Sequence, residues 1–100
     1  MALQFVWDPN KDRINRRQHG ISFETAALAF ADPHARIELN RIEGREERWE
    51  IIGLIGAMML VLIVYTSWED DDGDETARII SARYATSHER RKYENEKNVH

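Results

Sequence analysis

The 100-residue chain contains no cysteine. That excludes a disulfide framework, a thiolate nucleophile and any thiolate-held zinc or iron–sulfur centre, and it fits a reducing, cytoplasmic setting. Proline occurs only at positions 9 and 33 and glycine at five positions, so each marks a specific break in the chain. Metal-ligand spacing is missing as well: His19, His34, His88 and His100 form no HxxxH or HxxE arrangement on one helix. There is no phosphate-cradling glycine loop and no GxSxG elbow. The residues therefore point to no cofactor and no metal. The N-terminus has no basic stretch followed by a long apolar run, so no signal peptide is expected.

Long apolar runs are scarce too. Ile51 to Tyr65 carries no charge over fifteen residues. As a helix it would reach roughly 22 Å, short of the ~30 Å hydrocarbon core. Gly53, Gly56 and the β-branched content predict two buried strands joined by a turn near Ile55-Gly56-Ala57. No membrane partner is expected.

Positive charge is in deficit, but only formally. The net charge is −4, and Glu69 to Glu75 places six acids in seven positions. Outside that run, fourteen bases face twelve acids, a balance of +2. A basic face toward nucleic acid is therefore compatible with the composition.

What is present reads as one domain over residues 1–100. Gln4–Trp7 predicts a first strand. Asp8-Pro9 is a helix start, and the helix runs to about Gln18 and stops at Gly20. Ile14 is its one aliphatic residue, so most of it faces water or a polar partner. Ser22 caps a second helix whose stripe is Phe23, Ala26, Ala27 and Phe30, ending at Asp32-Pro33. Strands are expected at Ala35–Leu39, Arg48–Leu54, Met58–Thr66 and Thr76–Ala82, with Arg41–Glu47 a polar turn. Met58–Thr66 is apolar on both faces, hence central. Thr86 and Glu89 form a capping box opening a last helix to about Asn95, after which the chain is expected to fray. The order β-α-α-β-β-β-β-α is α+β, an antiparallel sheet with two N-terminal helices and one C-terminal helix.

Candidate chemistry lies in the distribution of cations. Lys11, Arg13, Arg16, Arg17 and His19 cluster on the first helix, either as a solvated face complementing the helix dipole or as a phosphate-binding surface. His19 is either a cap residue at a helix end or a proton donor, the end of the helix dipole suiting the latter. Arg78 and Arg83 lie in and beside the fifth strand. In a regular strand they face opposite sides and converge only if the strand twists, bulges or ends early. Each also reads as a salt-bridge partner. Arg90, Arg91 and Lys92 read as solvated surface, and Trp7, Trp49 and Trp68 as packing before base stacking. The acidic run lacks the twelve-residue EF-hand pattern.

Several strings are similar to the BrnT family. Phe5-Val6-Trp7-Asp8-Pro9-Asn10-Lys11, Asn15, His19-Gly20-Ile21-Ser22-Phe23-Glu24-Thr25-Ala26, Phe30 and Asp32 resemble its opening. Gly53-Leu54-Ile55-Gly56, Val64-Tyr65-Thr66, Arg78-Ile79-Ile80-Ser81-Ala82-Arg83, Glu89 and Tyr93 follow in the family's order. The resemblance covers roughly residues 5 to 94. It implies a RelE-like fold and a toxin of a bacterial type II toxin–antitoxin system, a ribonuclease that arrests translation. It also implies a BrnA antitoxin with a ribbon-helix-helix domain that brings DNA binding and dimerisation, hence a heterotetramer through the antitoxin.

Two departures stand out. The family usually carries arginine two residues after the Val-Tyr-Thr threonine, where this chain has Trp68, and the acidic connection that follows is longer. Both weaken phosphate binding by charge, so the alternative is a catalytically weak or inactive member serving as an antitoxin-binding component of a repressor. In the enzyme reading, Arg78 and Arg83 stabilise charge and His19 is the acid or base. Lys11 orients phosphate, and Arg16, Arg17 and Arg90 extend the RNA contact.

Overall fold

The computed structural model describes residues 2–98, with side chains to residue 95. Strand β1 (Leu3–Val6) leads into α1 (Pro9–His19), α2 (Phe23–Ala26) and a 3-10 helix (Ala27–Ala31). Strands β2 (Arg36–Glu43), β3 (Glu46–Ile55), β4 (Met59–Glu69) and β5 (Glu75–Tyr84) follow, then α3 (Ser87–Asn98). The sheet order is β1-β5-β4-β3-β2. Strands β2 to β5 form the expected antiparallel meander, and β1 adds to the outer edge of β5 in parallel. Central β4 buries Val61 and Ile63 on one face and Leu60 and Leu62 on the other, as its two-sided apolar pattern requires.

Three local expectations are corrected. Arg41–Glu47 is not a polar turn: β2 and β3 run on through it and meet at the two-residue turn Gly44-Arg45, with Gly44 at φ 63. Alternating charges hid this extension, because neither face there is apolar. The Phe23–Phe30 helix is one α turn followed by a 3-10 turn. That segment lies tight on β3: a Cβ on Gly53 would sit 2.7 Å from the Ala29 carbonyl oxygen. Helix α3 continues past Asn95 to Asn98, and the end of the predicted frayed tail, His100, lies outside the described residues.

The main core fills one sheet face. Ile21, Phe23, Ala26 and Ala29 pack over Ile51, Val61, Ile63, Tyr65, Ala77, Ile79 and Ala82. Phe5, Phe30 and Tyr65 extend it as an aromatic row with 5.0 Å between successive centroids. On the opposite face only a small cluster is covered, Ile52, Leu60 and Leu62 under Tyr93 of α3. Among the described residues no other apolar cluster lies on that face.

Helix α1 docks without an apolar stripe. The Asn15 amide donates to the carbonyls of Ile21 (3.0 Å) and Ala82 (2.7 Å), and the Ala82 N–H donates back to its Oδ1 (3.1 Å). One side chain thus acts as a short strand on the β5 edge that β1 leaves bare beyond Val6. Asp12 Oδ1 also accepts from Phe23 N–H at 2.8 Å. The caps read from the sequence are formed: Asp8 accepts from Asn10 N–H, Gly20 closes α1 at φ 73, and Ser22 accepts from Thr25 N–H. Among the described residues no helix is long and apolar enough to cross a membrane, and Ile51–Tyr65 lies in the β3–β4 hairpin.

Candidate nucleic-acid interface

The open sheet face carries alternating charge because β2, β3 and β5 present every second residue to it. On β4 that face bears Leu62, Val64 and Thr66. Arg83 pairs across from Leu62 and Arg78 across from Thr66. The two arginines therefore share a face, although they are an odd number of residues apart. The cause is a bulge: Val64 lies opposite Ser81 and Tyr65 opposite Ile79, so Ile80 is an extra residue that resets the alternation.

Each arginine is held by carboxylate. Arg83 donates from Nη1 and Nη2 to the two oxygens of Glu89 at 2.8 and 2.9 Å. Those bonds pull the Glu89 carboxyl down to about 2, against burial and helped by Thr86. The same bonds raise the Arg83 pKa. Arg78 Nη2 meets Glu46 Oε2 at 2.9 Å, and Arg48 Nε reaches Glu46 Oε1 at 3.4 Å. Arg48 Nη1 also lies 2.5 Å from Glu43. Nearer α3, Lys92 sits 3.3 Å from Glu38 and, with Arg36, holds that carboxyl low.

Helix α3 is tied down by Tyr93 as well. Its hydroxyl donates to Asp32 Oδ2 at 2.6 Å, and the same carboxylate accepts from Leu54 N–H (2.8 Å) and His34 N–H (2.9 Å). Burial opposes the Asp32 charge, but these donors outweigh it and its pKa falls. Burial, then Asp32, pushes Tyr93 up to about 12.

A cleft opens where the sheet divides. The β3–β4 ladder ends at Trp49 opposite Tyr65, yet β3 begins at Glu46 and β4 continues to Glu69. Beyond that point the two hairpins part around a space of about 520 Å³, bordered by Ile42, Arg45, Glu46, Glu47 and Trp49 on one side and Thr66, Ser67 and Trp68 on the other.

The other predicted residues lie elsewhere. Lys11 and His19 border a shallow depression of about 210 Å³ against Ile80 and Ser81 at the β5 edge, which neither Arg78 nor Arg83 lines. Arg16 borders a different one with Ile21, Thr25 and Tyr84. Arg17 is exposed on α1 and Arg90 on α3. So the structure joins Arg78 with Arg83 on one face, and Lys11 with His19 in one depression. Arg48, Glu46 and Thr66 were missed; for the first two the signal was the every-second-residue spacing of Glu46, Arg48 and Glu50, and for Thr66 it was a polar residue closing the apolar run of β4. Among the described residues no three His, Asp or Glu side chains gather as a metal site.

The family model described as ribonuclease toxin, BrnT, of type II toxin–antitoxin system matches residues 7–89. No curated protein matches the chain. The 1.1 Å crystal structure of the Brucella abortus ribonuclease toxin, BrnT, is similar with a TM-score of 0.64 at 17% identity, over 87% of this chain and 100% of that one. That likeness is one of fold, and it agrees with the α+β architecture described above. Since the family match takes in both the His19 and the Arg78–Arg83 strings, the chain belongs to the BrnT family of ribonuclease toxins of type II toxin–antitoxin systems.

Proposed function

We propose that this member is a metal-independent endoribonuclease that arrests translation. The observation that carries the reading is the Ile80 bulge, which turns Arg78 and Arg83 to one open face in a family of ribonucleases. Guanidiniums at fixed spacing suit a phosphodiester that gains charge as the 2′-hydroxyl attacks the adjacent phosphorus. In this reading the RNA crosses the β5 edge, where His19 in its separate depression serves as the acid or the base and Lys11 beside it orients phosphate, while Arg78 and Arg83 act from the sheet face. Arg16, Arg17 and Arg90 extend the contact. Purified protein given labelled RNA with excess EDTA tests this: cleavage is expected to persist, and loss of cleavage on chelation overturns the metal-free route.

A second reading has its own observation. Arg48, Arg78 and Arg83 all rest on carboxylates, which suits a non-catalytic component of a repressor. No cleavage at high protein excess, together with tight antitoxin binding, would favour it. The partner in either case is a BrnA-like antitoxin with a ribbon-helix-helix domain, assembling a heterotetramer through the antitoxin in the cytoplasm. Operator DNA is bound only through that partner. Copurification with the product of the adjacent gene, and the mass of the complex, check this.

A further inference from the structure

We propose that the cleft between the two hairpins is a single-nucleotide subsite for RNA, and that Glu46 now occupies the place of the phosphate. The inference rests on the ribonuclease reading above and adds a location, three recognition residues (Arg48, Thr66 and Trp68) and an internal competitor.

Four observations meet there. First, one carboxylate bridges two guanidiniums from different hairpins: Glu46 Oε2 takes Arg78 and Oε1 takes Arg48. Two arginines around a pair of oxygens is the arrangement a phosphodiester requires. Second, the contact is replaceable. Arg78 and Glu46 are 44% and 40% exposed, and ion pairs at such exposure contribute little. Arg48 is better buried at 19% and is also held by Glu43 at 2.5 Å, so it stays in place when Glu46 leaves. Third, Thr66 borders the cleft opposite Arg78, is 4% exposed, and its Oγ1 finds no partner among the described residues. A buried hydroxyl without a partner is costly unless a ligand can use it. Fourth, Trp68 borders the same cleft and is 48% exposed. An exposed tryptophan beside a pair of arginines supplies what an unpaired base requires, a stacking surface.

Together these features describe a nucleotide in two parts. The phosphate displaces Glu46 between Arg48 and Arg78, the base lies on Trp68, and the Thr66 hydroxyl is available to the ribose or the phosphate. Only an unstacked, single-stranded nucleotide can enter, because a duplex keeps its bases paired. No bond is made or broken in this step. Glu46 swings out toward solvent as the phosphate arrives.

The test is equilibrium binding of a short fluorescent 2′-O-methyl oligoribonucleotide, which cannot be cleaved through its blocked hydroxyl, to the full chain. Glu46→Gln keeps the shape and removes the competing charge, so affinity is expected to rise about 5- to 10-fold at low salt, with the gain fading at high salt. Trp68→Ala is expected to weaken binding by about 10-fold, with Trp68→Phe retaining most of it. Arg48→Ala is expected to weaken binding and to flatten its salt dependence by roughly one phosphate contact. Unfolding midpoints of the variants confirm that each is folded. Unchanged or weaker binding by Glu46→Gln overturns the competitor role, and unchanged binding by Trp68→Ala overturns the subsite. If those variants are silent while Arg83→Ala abolishes binding, the subsite fails and the ribonuclease reading stands. If no variant and no wild-type protein binds RNA, both fail.

Discussion

Asn15 occupies a place where an amphipathic helix would carry a leucine. Its amide satisfies both the N–H and the C=O of Ala82 at a sheet edge. Asn15→Leu keeps the number of side-chain heavy atoms and leaves those groups unpaired, so it is expected to cost about 1–3 kcal/mol for each group left buried. Chemical denaturation reads the loss as a lower midpoint. Gly53 is fixed by a different constraint, the Ala29 backbone. Gly53→Ala forces its Cβ against a carbonyl oxygen and is expected to destabilise by about 1–3 kcal/mol or to shift the 3-10 turn. The two proposed catalytic arginines also separate at this scale. Arg83→Ala removes a bidentate partner from Glu89 and is expected to lower both stability and toxicity. Arg78→Ala removes one exposed contact and is expected to lower toxicity with little change in melting temperature. Equal melting losses in the two variants would mean that Arg78 is structural too.

Helix α3 is a polar element held by one buried aromatic and a few charged groups, so its docking depends on pH. Glu89 titrates near 2 when folded against an ordinary 4.5. A depressed carboxyl stabilises the fold above about pH 4.5 and loses that contribution as pH falls toward 2. Arg83 is 39% exposed, so after solvent screening the effect is on the order of 1–2 kcal/mol. Tyr93 works from the other side. Its hydroxyl is raised to about 12 from 10.0, so its contribution is complete below pH 10 and declines as pH approaches 12. Stability measured against pH is expected to show a plateau between these limits. Glu89→Gln should flatten the acid limb and Tyr93→Phe the alkaline limb. An acid limb unchanged in Glu89→Gln would place the acid sensitivity elsewhere.

At the scale of the whole molecule, charge is unevenly spread. The acidic run follows Trp68 and forms the β4–β5 connection, folded on itself by Asp70, whose Oδ1 accepts from Asp72 and Asp74 N–H at 2.9 Å each. It lies at the same end of the sheet as the cleft, where its field opposes RNA. Asp71→Asn with Asp72→Asn leaves Asp70 to shape the turn. That pair is expected to tighten RNA binding about 2- to 5-fold at low salt and to converge with wild type near 0.5 M salt, where the Debye length is only a few ångströms. Persistence of the difference at high salt would mean that the loop acts by contact and not by field.

Much of this architecture was legible in the chain. The caps at Asp8, Gly20, Ser22 and Thr86, the turn at Gly56 and the central place of β4 follow from local chemistry and from the two-residue alternation of strands. The cationic helix and the Arg78–Arg83 strand were legible as candidates for the same reason: residue type and spacing are properties of the sequence. Three things were decided by tertiary structure. The Ile80 bulge, which one-dimensional alternation cannot register, brought the two arginines to a common face. The parallel seat of β1 depended on which sheet edge was left open, and its early end created the need that Asn15 meets. The parting of the β3–β4 ladder set Glu46 of β3 across a cleft from Thr66 and Trp68 of β4, which are distant from it along the chain. Strand pairing is a long-range contact, so local patterns specify the strands, while the meeting of distant side chains is settled only when the sheet closes.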